Sequence, residues 1–311
     1  MKYDLIIVGA GPAGMTAALY GARASKSVLV FEAEFPGGQI LSSERIENYP
    51  ALPTTDGYTF AENLKNQILS LGAEIKSALV ERVERGGDGC FSVYAEGESY
   101  TSRAVILATG LRHRRLEVLG EEKLIGKGVS FCATCDGMFF KGKSVAVIGG
   151  GNTAVQDALV LSGICERVYL IHRRNALRAE SELAQRIYEK ENIEFLGEQA
   201  VKEIVGGERV EGILIEHVVS GEKRFLSVSG VFEAIGQIPR NEAFRNTVSL
   251  DGEGYFITDA EGRTTTEGIF AAGDACCKSV RQLTTAVADG TVAALSAVKY
   301  VEDSQRKERG Q

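Results

Sequence analysis

The sequence predicts an α/β protein of two three-layer units, with the second unit inserted into the first. The main observation is a repeat: a strand, a glycine-rich turn and a helix follow one another from residue 2, and the same succession returns from residue 144. A length of 311 residues suits two domains of ordinary size. The 36 glycines exceed the usual share of about 7%, which indicates close backbone approaches.

The first succession starts with an apolar strand over residues 2–8 and continues into a predicted helix over residues 15–24. Between them the chain reads GxGxxG, as Gly9-Ala10-Gly11-Pro12-Ala13-Gly14. In this setting the first two glycines let the backbone approach a pyrophosphate, and Gly14 lets the helix pack on the strand. The next strand ends in Glu32, placed to accept hydrogen bonds from ribose hydroxyls. A merely glycine-rich turn is the alternative interpretation.

The second succession has a strand over residues 144–148, a predicted helix over 155–162 and a strand over 168–171. Its turn reads GxGxxA, as Gly149-Gly150-Gly151-Asn152-Thr153-Ala154. His172 follows Gly149 at the distance at which Glu32 follows Gly9, since 172 − 149 and 32 − 9 both equal 23. A basic cluster therefore replaces the acid, namely His172, Arg173, Arg174 and Arg178.

The basic cluster distinguishes the two predicted nucleotides. Cations bind a 2′-phosphate through charge-assisted hydrogen bonds, whereas a carboxylate repels that group. We therefore predict FAD in the first unit and NADPH in the second. A solvated basic patch is the alternative for the cluster.

The last predicted strand of each repeat sets the predicted domain boundaries. Residues 104–107 precede Ala108-Thr109-Gly110, residues 231–234 precede Ile235-Gly236, and a later strand brings Gly273-Asp274 back to the first unit. The predicted domains are an FAD domain, first part (1–112), an NADPH domain (113–243) and the FAD domain, second part (244–311). We expect a solvated linker at residues 112–115 and a frayed end at 304–311.

Charge and hydropathy exclude several classes of protein. With 35 Lys and Arg against 42 Asp and Glu, the net charge of −7 argues against a nucleic-acid binder. Apolar runs end far short of the roughly 20 residues that cross a bilayer, and residues 1–8 leave no room for a signal peptide. These features predict a cytoplasmic protein without a membrane partner. In that compartment six cysteines indicate catalysis, metal binding or inert thiols.

Cys132-Ala133-Thr134-Cys135 has the spacing of half a zinc site or of a redox dithiol. A dithiol is favoured, because no further zinc ligands stand at comparable spacing. This spacing allows a reducible disulfide and lowers a thiol pKa. Asp136 is placed to carry the proton of a departing thiolate, with a turn role before Gly137 as the alternative. Cys90 and Cys165 resemble small hydrophobes, and the adjacent Cys276 and Cys277 are expected to be reduced.

Cys132-Ala133-Thr134-Cys135-Asp136-Gly137, the GxGxxA turn and the basic cluster together resemble low-molecular-weight thioredoxin reductases, and the resemblance spans the whole chain. It implies that Cys135 lies against the flavin, that Cys132 attacks thioredoxin, that Asp136 acts as acid and base, and that the protein is a homodimer. The Cys276-Cys277 pair departs from the family pattern.

The motifs and the resemblance give two sets of candidate cofactor residues. The predicted FAD residues are Gly9, Gly11, Pro12, Ala13, Gly14, Glu32, Ala33, Gly37, Gly38, Gln39, Asn48, Ala108, Thr109, Gly110, Gly273, Asp274, Arg281, Gln282 and Leu283. The predicted NADPH residues are Gly149, Gly151, Asn152, Thr153, Ala154, His172, Arg173, Arg174, Arg178, Ile235 and Gly236. No metal site is predicted.

The predicted activity carries electrons from NADPH through FAD and the Cys132/Cys135 disulfide to oxidised thioredoxin or a similar small dithiol protein. Because the dithiol and the NADPH residues share the inserted domain, we expect that domain to rotate between half-reactions. Two alternatives stay open: a flavin dithiol reductase fed by ferredoxin or F420, and a flavin-bound redox sensor.

Overall fold

The computed structural model describes residues 2–43, 45–87 and 89–308. The chain forms two compact units. The first comprises Met1–Ser43, Tyr49–Arg112 and Ile238–Gln311, and the second comprises Glu44–Asn48 and His113–Gln237.

The strands, numbered along the chain, fall in both units. They are β1 (Lys2–Val8), β2 (Val28–Glu32), β3 (Glu74–Ser77), β4 (Val80–Arg85), β5 (Phe91–Ala95), β6 (Glu98–Leu107), β7 (Leu111–His113), β8 (Val129–Ser130), β9 (Ser144–Ile148), β10 (Arg167–Ile171), β11 (Ile193–Leu196), β12 (Gln199–Gly206), β13 (Val210–His217), β14 (Lys223–Leu226), β15 (Gly230–Glu233), β16 (Gln237–Pro239) and β17 (Ile269–Ala271).

The α-helices are α1 (Pro12–Arg23), α2 (Gly57–Ser70), α3 (Glu121–Leu124), α4 (Ala133–Asp136), α5 (Asn152–Ser162), α6 (Ser181–Tyr188) and α7 (Leu283–Glu308). Short 3-10 turns occur at Gly38–Ser42, Gly137–Phe140, Glu242–Phe244 and Gly273–Ala275. No described helix combines the length and the apolar character that a membrane span requires.

The first unit is built on a seven-stranded sheet in the order β3-β2-β1-β6-β5-β4, with β17 also paired to β6. β1, β2, β3, β6 and β17 pair in parallel, whereas β4 and β5 add antiparallel pairs. One face of β1, carrying Leu5 and Ile7, packs with α1 and α7, and the other face, carrying Ile6 and Val8, packs with Phe256. Alternation along a strand buried on both faces explains the continuous apolar run in the sequence.

The second unit repeats this plan on a smaller scale. Its five strands are all parallel, in the order β11-β10-β9-β15-β8. Helix α5 covers one face through Val155 and Leu161, and the antiparallel sheet β12-β13-β14 covers the other through Ile204 and Ile213. The predicted α/β fold with parallel sheets at its centre is confirmed.

Two details differ from the sequence expectation. The second unit ends at Gln237, whereas the predicted insertion extended to residue 243, because the buried Asn241 side chain donates to the carbonyls of Gly254 and Ala275 within the first unit. Residues 304–308 continue α7 instead of fraying, since Gln305 donates to Asp4 and Glu308 pairs with Arg103. Residues 309–311 of that prediction lie outside the described part of the chain.

Candidate dithiol and dinucleotide sites

The dithiol lies where β8 gives way to the short helix α4. Cys132 has an extended backbone, with φ −145° and ψ 102°, immediately before that helix begins. One helical turn then brings Cys135 back, and the two cysteines form a disulfide with a Cα–Cα distance of 5.3 Å. Both side chains are partly exposed. The helical turn thus converts the CxxC spacing into a bonded pair within reach of solvent.

Asp136 is held in place by a serine that the sequence analysis did not single out. Ser130 Oγ donates to Asp136 Oδ2 at 2.6 Å, and the Cys132 N–H donates to Ser130 Oγ at 3.1 Å. Thr134 Oγ1 lies 3.4 Å from Cys132 Sγ. Nothing in the motif spacing marks Ser130, because its role depends on where the helical turn returns the carboxylate.

The expectation of a solvated linker at residues 112–115 holds for the exposed Arg112, Arg114 and Arg115, whereas His113 is half-buried. The His113 ring stacks on Phe131, with 4.4 Å between centroids, and the Arg115 guanidinium lies 5.4 Å from the Phe131 centroid. Burial, and then the charge of Arg115, lower the pKa of His113 to about 4. Gln237 Nε2 lies 3.3 Å from His113 Nδ1. The neutral ring therefore packs beside the residue that precedes Cys132.

The first glycine-rich turn leaves space for a ligand. A Cβ on Gly9 would lie 2.2 Å from the carbonyl oxygen of Ala108, and one on Gly14 would lie 1.8 Å from that of Gly9. A Cβ on Gly11 would meet no atom of the described residues within 4 Å. Two glycines thus permit backbone packing, and the third faces open space at the start of α1, where a helix N-terminus favours an anion.

Glu32 already orders this turn from the end of β2. Its Oε2 accepts a hydrogen bond from the Ala10 N–H at 2.7 Å, and its Oε1 accepts one from the Glu34 N–H at 2.9 Å. The neighbouring Ala33 is exposed. The carboxylate lies beside the turn, as the prediction of a ribose acceptor requires.

Asp274 supplies a second polar group in the first unit. Its Oδ1 is buried and has no hydrogen-bond donor among the described residues. Burial raises the pKa of Asp274, whereas the charges of Lys278 and Arg281 oppose that rise. Lys278 Nζ lies 3.7 Å from Asp274 Oδ1. Such an acceptor fits a ligand that brings hydroxyl groups.

Other predicted FAD residues are occupied by protein contacts. Gln39 Nε2 donates to the Leu111 carbonyl. Thr109 Oγ1 donates to Asn241 at 2.6 Å. Gln282 exchanges hydrogen bonds with Thr285 at the start of α7. Asn48 is separate from this set, because its segment clusters with the second unit.

The second glycine-rich turn has the same construction as the first. A Cβ on Gly149 would lie 2.4 Å from the Ala234 carbonyl oxygen, and one on Gly151 would meet no described atom within 4 Å. Asn152 and Glu180 exchange two hydrogen bonds, at 2.9 and 3.1 Å, at the start of α5. The open glycine again lies where a helix begins, so a phosphate group fits here as well.

The expectation that His172 adds a fourth positive charge to the basic cluster is wrong. Its ring is buried, with 6% exposure, and lies 2.5 Å from the position of a Cβ on Gly150. Burial, and then Arg178, Arg174 and Arg173, lower the pKa of His172. The histidine is therefore a neutral packing partner of the turn. The three arginines are exposed, and none pairs with a carboxylate within the described residues.

The remaining cysteines lie apart from the dithiol. Cys90, Cys165 and Cys276 are buried, Cys277 is exposed, and none of the four belongs to the Cys132–Cys135 disulfide. Burial raises the pKa of Cys276 to about 12. Within the part of the chain that the structure describes, no three His, Cys, Asp or Glu side chains form a group that could hold a metal ion.

Comparison with known proteins identifies the family. The model of the pyridine nucleotide-disulphide oxidoreductases matches residues 3–290. The chain belongs to this family. The oxidoreductase is 43% identical over 302 residues to a thioredoxin reductase of Listeria monocytogenes, a match that covers 97% of this chain and 94% of the relative.

Two further comparisons extend this result. The crystal structure of a thioredoxin reductase from Streptococcus pyogenes matches with a TM-score of 0.93 and 40% identity, covering 97% of this oxidoreductase and 99% of that chain. A bifunctional thioredoxin reductase/thioredoxin of Mycobacterium leprae is 40% identical over 305 residues, which are 97% of this chain and 66% of the relative. The predicted resemblance and the assignment to an enzyme class are confirmed.

Proposed function

We propose that this oxidoreductase is an NADPH-dependent thioredoxin-disulfide reductase. The observation that carries the proposal is the Cys132–Cys135 disulfide, partly exposed and next to a hydrogen-bonded Asp136, in a chain similar over nearly its full length to thioredoxin reductases.

In this proposal the first unit holds FAD. Gly11 leaves the turn open to a pyrophosphate, Glu32 lies beside it, and the buried Asp274 Oδ1, 3.7 Å from Lys278 Nζ, is an acceptor for a hydroxylated chain. A bound FAD supplies the hydride acceptor and electron-pair donor that disulfide reduction needs. The protein's own contribution is to hold this group and exclude competing acceptors.

The second unit holds NADPH in the same proposal. Gly151 leaves space for the pyrophosphate, and the exposed guanidinium groups of Arg173, Arg174 and Arg178 bind the 2′-phosphate. His172 contributes by packing under the turn, since a neutral ring adds no charge.

The acceptor in this proposal is oxidised thioredoxin or a similar small dithiol protein. Cys132 attacks its disulfide, Cys135 resolves the mixed disulfide, and Asp136 exchanges the proton. The name of the Mycobacterium leprae relative joins a reductase and a thioredoxin in one chain, which supports this acceptor. We further propose a homodimer and a second unit that rotates between half-reactions, because the dithiol and the NADPH residues share that unit. A cytoplasmic location stays a prediction.

An anaerobic titration tests the proposed function. The purified protein receives two equivalents of NADPH, enough to reduce both the disulfide and the flavin, while the flavin absorbance is followed, and oxidised thioredoxin is then added. We expect prompt bleaching followed by recovery, and no recovery in Cys132→Ser. Bleaching by reduced ferredoxin or F420 but not by NADPH would assign another donor, and bleaching without disulfide turnover would favour a redox sensor.

A further inference from the structure

A buried hydroxyl beside the dithiol has no part in the chemistry proposed above. Ser130 ends β8, and its side chain is 6% exposed. Its Oγ lies 2.6 Å from Asp136 Oδ2, 3.1 Å from the Cys132 nitrogen and 3.5 Å from the Cys132 oxygen. One hydroxyl thus joins the candidate acid to both backbone polar groups of the candidate nucleophile.

The chemistry of these groups fixes the directions of the hydrogen bonds. The Cys132 N–H only donates, so Ser130 Oγ accepts from it and keeps one lone pair and one proton for other partners. An ionised Asp136 only accepts, and it therefore takes the Ser130 proton. A protonated Asp136 donates to Ser130 Oγ, and the Ser130 proton then turns toward the Cys132 carbonyl.

We propose that Ser130 is a positioning residue that keeps Asp136 Oδ2 hydrogen-bonded in both protonation states of Asp136 during thiol–disulfide exchange. The proposal rests on the proposed reductase function. It requires no heavy atom to move, because rotation about the Ser130 C–O bond exchanges the two hydrogen-bond patterns.

One exchange cycle uses both states. The Cys132 thiolate bonds to one sulfur of the substrate disulfide, the substrate S–S bond breaks, and its electron pair leaves on the other sulfur, which takes a proton from the Asp136 carboxyl. Cys135 then loses its proton to the Asp136 carboxylate and attacks the Cys132 sulfur. The enzyme disulfide forms again, and the second substrate sulfur leaves as a thiolate. The enzyme has lost one electron pair, the substrate has gained it, and Asp136 is protonated as at the start.

Removing the hydroxyl has an effect of predictable sign. Hydrogen bonds to a charged group are stronger than those to a neutral one, so the loss of Ser130 Oγ disfavours the carboxylate more than the carboxyl. We expect Ser130→Ala to slow exchange with oxidised thioredoxin about tenfold. In the pH profile of the exchange rate, the apparent pKa that belongs to Asp136 should move to a higher value. The rate of flavin bleaching by NADPH is expected to stay unchanged.

The experiment uses the full-length holoenzyme and two matched pairs. Ser130→Ala is compared with Ser102→Ala, which removes a buried serine hydroxyl of the first unit, whereas Ser130 and the dithiol belong to the second unit. Ser130→Val is compared with Ser130→Thr, because these side chains share a shape and differ in the hydroxyl. Flavin content and thermal unfolding verify that each variant folds. Threonine is expected to restore exchange, whereas valine is expected to match alanine.

The choice of disulfide separates positioning from general damage. Hydroxyethyl disulfide releases a thiolate of high pKa that needs a proton, whereas the aromatic disulfide 5,5′-dithiobis(2-nitrobenzoate) releases one of low pKa that does not. Ser130→Ala should slow the first reaction about tenfold and the second less than threefold. These small probes give a result even if thioredoxin is not the acceptor, in which case the proposed function fails while this inference is still tested.

A double-mutant cycle completes the test. In an Asp136→Asn background, Ser130→Ala should lower the exchange rate less than twofold, because the two residues act as one unit. The inference is overturned if the effects of the two substitutions on the exchange free energy are additive. It is also overturned if Ser130→Ala slows the reactions of both small disulfides equally, or if Ser102→Ala slows exchange as much as Ser130→Ala does.

Discussion

At the scale of single residues, the proposed 2′-phosphate site predicts that the arginines that follow β10 determine nucleotide specificity. Arg173 and Arg174 are exposed and carry the charge that the buried His172 lacks. Changing both to alanine should weaken NADPH binding by at least about a hundredfold, at roughly 1.5–3 kcal/mol per charged hydrogen bond, and leave NADH binding nearly unchanged. Binding titrations with both nucleotides measure this, and Arg209→Ala, in the loop after β12, is the control for removing an exposed arginine of the same unit. An unaltered ratio of the two affinities would refute the phosphate role.

The buried Glu233, at the end of β15, leads to a second prediction, which concerns the pH dependence of stability. Burial, and then the charge of Glu121, raise its pKa to about 8 from an ordinary 4.5, although Arg115 opposes the rise. The folded protein therefore binds more protons than the unfolded chain between these values, and the contribution of Glu233 to stability falls as pH rises from about 4.5 to 8. Glu233→Gln should raise stability at pH 9 by roughly 2 kcal/mol and have little effect near pH 5. Thermal unfolding at both pH values measures this, and an equal gain at both would contradict it.

At the scale of an element, the glycine-rich turn before α5 uses neighbouring glycines for different purposes. A Cβ on Gly150 would overlap the His172 ring, whereas one on Gly151 would meet no described atom within 4 Å. Gly150→Ala should therefore destabilise the protein by about 1–3 kcal/mol. Gly151→Ala should leave stability unchanged and weaken NADPH, because the methyl group takes the space of the phosphate. Denaturant unfolding and nucleotide titration of both variants measure this contrast, which equal losses of stability would contradict.

At the scale of the whole molecule, we expect the return of the chain to the first unit to depend on Asn241. Its side chain is 1% exposed, accepts from Thr109 and donates to the carbonyls of Gly254 and Ala275. Asn241→Ala leaves these groups unsatisfied and should lower the free energy of unfolding by about 2–4 kcal/mol, with weaker flavin retention. Asn246→Ala, at an exposed position nearby, is the matched control. Equal stabilities of the two variants would show that Asn241 does not anchor the return.

The fold class, both glycine-rich turns and the CxxC pair could be predicted from the sequence, because each is marked by residue types at a fixed spacing within one segment of the chain. The strand over residues 2–8 and the strand over 144–148 match β1 and β9, since strands buried on both faces must be apolar throughout. The glycines follow from backbone approaches that any side chain would block.

The contacts between distant segments could not be predicted from the sequence. The tertiary structure buried His172 and made it neutral, stacked His113 on Phe131, extended α7 through Glu308, and brought Ser130 to Asp136. Each outcome depends on burial or on a hydrogen bond to a partner that the linear pattern does not specify. Local motifs therefore identify the chemistry of this protein, whereas the protonation and orientation of the groups that perform it are set by packing.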